Sequence, residues 1–213
     1  MFEASFVASD SALYLYGDGN ITFSSQAIGD AAADRLIVVA VAFTHDYNSS
    51  ANNSLTVGGV SATKIVGDFD SPGSLSQDVA IWVAAVPSGT TADIVVGNNR
   101  TSGDKLGAII GVYRLTGASA TAVDTSSGNS TDPISLNLDV GAEGLIVAAM
   151  GTRDSEVSWS GVAERGQVEG YSDAGISVAD YFSSGSEAPR SVSGISDTYD
   201  SLAAACAASF GPT

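Results

Sequence analysis

Apolar and β-branched runs of strand length recur along the whole chain: SFVAS, ALYLYG, ITFSS, RLIVVAVAF, SLTVGG, ATKIVG, VAIWVAAV, ADIVVGN and GAIIGVYRL, then ISLNLDV, GLIVAAMG, VSWSG, ERGQVEG, GISVADYF, RSVSGI and LAAACAASF. Clusters of Gly, Ser, Asn and Asp separate them about every ten residues, the cadence of a sandwich or barrel. None carries a helical period long enough to compete. The pattern predicts an all-β protein, an antiparallel β-sandwich with jelly-roll-like or immunoglobulin-like strands.

The two sets of runs can be overlaid. ITFSSQAIGDAAADRLIVVAVAF (21–43) matches ISLNLDVGAEGLIVAAMGT (134–152) in its order of alternating strand, small-residue turn and Leu-Ile-Val strand. VAIWVAAVPSGTTADIVV (79–96) likewise parallels ISVADYFSSGSEAPRSVSGI (176–195), which places GAIIGVYRL (107–115) opposite LAAACAASF (202–210). That last stretch has the highest helix propensity in the chain. Its slot in the repeat instead predicts a buried central strand, with Leu202, Ala204, Cys206, Ala208 and Phe210 on one face and Ala203, Ala205, Ala207 and Ser209 on the other.

The expected organisation is an internal duplication. Two similar halves, about 21–115 and 134–210, merge into a single sandwich over 21–213, with residues 116–133 as the polar link. Residues 1–20 lie outside the repeat and read as an edge strand or docking segment that a neighbouring protein could pair with.

Composition narrows the function. Apolar residues at 44% and charged residues at 15% suit a packed core. Lys and Arg total 8 against 24 Asp and Glu, a formal net charge of −16, so the surface repels phosphate backbones and anionic headgroups. The longest apolar run, 36–43, is too short to span a bilayer. No nucleic acid and no membrane insertion are expected. The start, MFEASFVASD, has neither the basic beginning nor the apolar run of a secretory signal, so synthesis in a cytoplasm is expected. One cysteine, Cys206, rules out a disulfide within one chain.

Candidate chemistry is sparse. The single histidine, His45, has no G-x-S-x-G elbow to join and reads as a residue at a strand end. Glutamates are few, and most aspartates sit in turn-like stretches; Asp180, inside ISVADYF, is the exception and reads as a solvent-facing or sheet-edge residue. DFDSPGSLSQDV (68–79) fits an EF-hand loop at positions one, three and six but has Pro72 at five and Val79 at twelve. A looser, sandwich-type calcium site could use Asp68, Asp70 or Asp78, against the reading as an ordinary acidic loop. No phosphate-cradling glycine motif opens a helix. The Asn-x-Ser/Thr triplets at Asn48, Asn52 and Asn99 are expected by chance in a chain this rich in these residues. Trp82, Trp159, Tyr171 and Tyr181 are the aromatics that could stack on a sugar, Trp82 being the one most embedded in an apolar run. The reading is therefore non-enzymatic, with no catalytic, cofactor-binding or metal residues.

The combination DRLIVVAVAFTHD, SLTVGGVSATKIV, VAIWVAAVPSGTTADIVV, GAIIGVYRLTGAS, LNLDVGAEGLIVAAM and VSWSGV resembles a group of largely uncharacterised bacteriophage and prophage proteins from aquatic and alphaproteobacterial hosts. The resemblance covers about residues 21–210 and carries no active-site residue. It implies a β-sandwich virion protein on the particle surface: a head decoration, cement or spike protein, or a tail or fibre module. The implied partners are other virion proteins, such as the major capsid or a tail protein, and copies of itself. The alternative is a carbohydrate-binding module that grips a host surface glycan.

Overall fold

In the computed structural model, which describes residues 1–16, 19–46, 53–71, 75–97, 105–131, 133–153, 156–169, 174–196 and 202–213, the apolar run at 36–43 forms the middle strand of a five-stranded sheet. The first half supplies β1 (Glu3–Tyr16), β2 (Ile21–Ala27), β3 (Leu36–His45), β4 (Ser54–Val57), β5 (Val60–Ser61), β6 (Thr63–Asp70), β7 (Ser76–Ala85), β8 (Thr91–Gly97) and β9 (Lys105–Thr116). They form an inner sheet, β1-β9-β3-β7-β6, and an outer sheet, β2-β8-β4-β5. The first strand pairs with the last and the second with the next to last, which is jelly-roll order.

The second half supplies β10 (Asp124–Thr131), β11 (Ile134–Val140), β12 (Leu145–Thr152), β13 (Val157–Ser160), β14 (Ala163–Glu169), β15 (Gly175–Phe182), β16 (Glu187–Ser196) and β17 (Leu202–Phe210). Its inner sheet runs β10-β17-β12-β15-β14 and its outer sheet β11-β16-β13, the same order strand for strand apart from the short β5. Every pairing is antiparallel.

Because a strand sends alternate side chains to opposite faces, a strand apolar at every position needs cover on both sides. β3 meets this need on two fronts. Ile37, Val39, Val41 and Phe43 pack on the first outer sheet against Phe23, Leu55 and Ile94, while Val38, Ala40 and Ala42 face the other half. In the second half Ile146, Ala148 and Met150 face the second outer sheet, while Leu145, Val147 and Ala149 face back. The sheets thus form four layers, with a core inside each half and a third shared between the inner sheets, and the first of the inner sheets includes β1, outside residues 21–213. Each fully buried Val, Ile or Phe contributes about 1.5–3 kcal/mol of transfer free energy.

The alanine-rich tail is a central strand, as its slot in the repeat requires. β17 lies between β10 and β12. Ala204, Cys206, Ala208 and Phe210 enter the shared core, and Ala203, Ala205 and Ala207 enter the core of the second half. Small side chains let the layers close on it from both sides. Gly111 does the same on β9: a Cβ there would stand 3.0 Å from a Val178 methyl across the shared core.

Contacts across the shared core come in exchangeable pairs: β12 on β7 and β15 on β3; β17 on β7 and β15 on β9; β17 on β6 and β14 on β9; β10 on β6 and β14 on β1. Swapping each strand for its counterpart returns the same set, as in an isologous twofold interface between two copies of one protein.

Residues 1–20 contain β1, the edge strand of the first inner sheet, paired with β9 from Glu3 opposite Thr116 to Tyr16 opposite Lys105. The stretch read as a polar link, 116–133, holds its counterpart β10. DTSSGNST has no apolar alternation because one of its faces is largely open to water; the backbone ladder to β17 makes it a strand.

Candidate functional site

Three polar constellations and one groove stand out among the described residues. At one pole of the first inner sheet, the ends of β3, β6 and β7 bring together Thr44, His45, Asp68, Asp70, Ser76, Gln77 and Asp78. Pairing of Thr44 with Gln77, His45 with Ser76 and Phe69 with Asp78 divides them between the two faces of the sheet. His45 is the last residue of β3 and fully buried, stacked on Phe69 with ring centroids 6.0 Å apart. The strand-end position expected for it is the one it holds, and the ladder to β7 and β9 extends to the histidine itself.

Asp68 and Asp70 share the face turned toward the second half, and Asp78 lies on the other. Asp68 Oδ1 accepts from Asn129 Nδ2 at 2.6 Å and from the Phe69 amide at 2.8 Å. Burial raises the Asp70 carboxyl above its ordinary range, against a Ser71 amide and the charge of Arg153, which lower it. Among the described residues no three His, Cys, Asp or Glu side chains converge on a point where a cation could sit.

The second constellation lies in the seam between the inner sheets where β1 and β14 meet. Arg165 Nε donates to Asp180 Oδ2 at 2.8 Å, the carboxylate being fully buried and the guanidinium side chain one-third exposed. Tyr113 donates to the Ala179 carbonyl at 3.3 Å. Phe6 meets the Tyr113 ring edge-on at 5.5 Å, and the Arg165 guanidinium lies over the Phe6 ring. Burial raises the Asp180 carboxyl while the Arg165 hydrogen bond and charge lower it; burial first, then Asp180, raises the Tyr113 hydroxyl far above its usual range. Asp180 is therefore an interior ion-pair member, correcting the solvent-facing reading. Its only ion-pair partner among the described residues is Arg165, and the arrangement is that of a structural joint.

The third is Arg35, 1% exposed. Its Nε donates to the Val86 carbonyl at 2.6 Å, Nη1 to Gly29 at 2.8 Å, Gly89 at 2.9 Å and Ile28 at 3.4 Å, and Nη2 to Ser88 at 2.6 Å. One side chain thus ties the turn after β2 to the turn after β7.

The aromatics singled out for sugar stacking are largely occupied. Trp82 is 4% exposed in the first core, with the Lys64 ammonium 5.1 Å from its ring centroid. Trp159 is half-buried and donates its indole N–H to Ser177 at 2.9 Å. Tyr181 donates to Glu187 at 2.5 Å beneath the Arg190 guanidinium. Tyr171, Asn48, Asn52 and Asn99 lie outside the described residues.

Cys206 is fully buried, and burial followed by the charges of Asp68 and Asp78 pushes its thiol well above the ordinary range. A thiolate is the reactive form, so Ellman's reagent is expected to leave the native protein unlabelled and to titrate one thiol per chain only in denaturant. Stoichiometric reaction of the folded protein within minutes would contradict this placement.

The groove runs along the start of β6 beneath the segment that joins the halves. Two hollows of about 450 and 410 Å³ share a wall of Thr63, Ala120 and Thr121, with Ile65 and Thr125 in the first and Val83 in the second. Val123 and Val60 are exposed on its rim.

Compared with known protein families and curated proteins, the chain matches no family model and no curated protein.

Proposed function

We propose that this protein is a structural component of a bacteriophage particle, displayed on its surface as a head decoration, cement or spike protein or as a tail or fibre module, and held there by other virion proteins and by copies of itself. The observation that carries this reading is the twofold jelly-roll stack. Jelly rolls recur in viral capsids and lectins, a fold-level analogy that fits a chain whose described polar clusters are joints and clamps. Three apolar cores make a body that stands outside a cell without disulfides, and a net charge of −16 keeps densely displayed copies soluble.

The test is to purify intact particles from a producing host and quantify the protein by mass spectrometry, with crosslinking to find its neighbour. A fixed copy number per particle and crosslinks to a capsid or tail protein are expected. Recovery only in the soluble lysate would overturn the proposal. Specific retention on host envelope polysaccharide, lost on Trp159→Ala, would favour the carbohydrate-binding alternative.

A further inference from the structure

The groove is the unfilled counterpart of the Phe6 seam. Val38 and Val147 are the third residues of the matching Leu-Ile-Val runs that begin β3 and β12. Val38 pairs with Tyr113 on one side and Val83 on the other; Val147 pairs with Ala208 and Asp180. One strand further out, Phe6 pairs with Tyr113 and Thr125 with Ala208. The bulge residue of β14 is Arg165 and that of β6 is Ile65. Each residue of one seam thus has a definite counterpart in the other: Phe6 and Thr125, Tyr113 and Ala208, Arg165 and Ile65, Asp180 and Val83.

Three of these four exchanges shrink the side chain. The same backbone frame that holds a phenylalanine against a tyrosine, with a guanidinium on its face, carries Thr125 and Ile65 on the groove wall at the second seam, with Ala208 fully buried in the shared core. The rim of this surface hollow exposes Val60 and Val123, and exposed apolar side chains grouped around a groove mark places where a partner docks.

We propose that this groove is a docking site for one aromatic side chain, Phe or Tyr, carried by an extended segment of a partner protein with basic residues flanking the aromatic. The aromatic follows from the counterpart seam, where Phe6 arrives on an extended strand. The basic flanks follow from the chain's net charge of −16. The site rests on the counterpart geometry and the chain's charge, and holds whichever assembly the protein serves.

The test uses the ¹⁵N-labelled full chain and the peptide Ac-Lys-Ser-Phe-Val-Lys-NH₂, built on the Ser5-Phe6-Val7 pattern, followed by amide chemical shifts. Saturable shifts are expected at residues 63–65 and 120–125, with affinity at least about tenfold weaker for the Phe→Ala peptide. Thr125→Phe, which installs the counterpart's own residue, is expected to abolish the shifts; Thr121→Phe on the shared wall answers the same question if that variant fails to fold. Absence of saturable shifts, shifts confined to another surface, or equal response to the alanine peptide overturns the proposal. Protein-concentration-dependent shifts at the same amides without peptide would assign the groove to a second copy and overturn the partner.

Discussion

Arg35→Ala is expected to lower the unfolding free energy by about 3–5 kcal/mol, seen as a large drop in urea midpoint with little change in slope. Five carbonyl oxygens from two turns accept from this one guanidinium, and alanine leaves the buried ones with no donor. Arg35→Lys should recover less than half of the loss, because an ammonium is a point donor and cannot span the Val86, Ser88 and Gly29 oxygens at once. The second half shows why the residue is an addition to the frame. Its counterpart position is Gly144, where the Ser183 amide donates to the Gly144 carbonyl just as the Val86 amide donates to that of Arg35, and no side chain is needed. A loss below about 1 kcal/mol would show that the turns hold themselves.

The second large effect concerns Arg165 and Asp180. Arg165→Ile removes the only ion-pair partner described for a fully buried carboxylate and is expected to cost about 3 kcal/mol at neutral pH. Burial already raises the Asp180 carboxyl, and loss of Arg165 raises it further. A carboxyl whose folded pKa exceeds its unfolded value stabilises fully below the unfolded pKa, about 3.9, and that contribution is lost as pH rises through the folded pKa. The variant should therefore regain stability relative to wild type on acidification from pH 7 toward 5. The double change Arg165→Ile with Asp180→Val writes the opposite seam's Ile65 and Val83 into this one and should return stability to within about 1 kcal/mol of wild type. Urea melts across a pH series decide it: a pH-independent loss, or a double variant no better than the single, would refute the account.

What the sequence disclosed depended on which faces were buried. β3 from Leu36 to Phe43, β12 from Leu145 to Met150 and β17 are apolar or small at every position, so their central places could be read directly, and the match of GAIIGVYRL to LAAACAASF outweighed the helix propensity of the tail. β10 could not be read that way, because a Ser/Thr edge strand is held by its backbone ladder. The Arg165–Asp180 pair depends on a bulge between Glu164 and Gly166 that leaves no mark in composition. Arg35 looks like a solvated charge ahead of an apolar run, since backbone carbonyls, its partners, are the same in every sequence. The groove stayed hidden for the same reason as β10: until residues 124–131 are known to be a strand, Thr125 cannot be set against Phe6.

The exchange relation between the inner sheets has a consequence for assembly. A patch that matches itself can be satisfied only once, and this chain satisfies it internally by folding its two copies of the patch together. Any association of whole chains is therefore left to surfaces other than this one, such as the sheet rims and the outward sides of the flanking sheets. Were such contacts to run head to tail, they would close into rings or continue as open lattices, whereas the internal twofold is closed once the chain has folded.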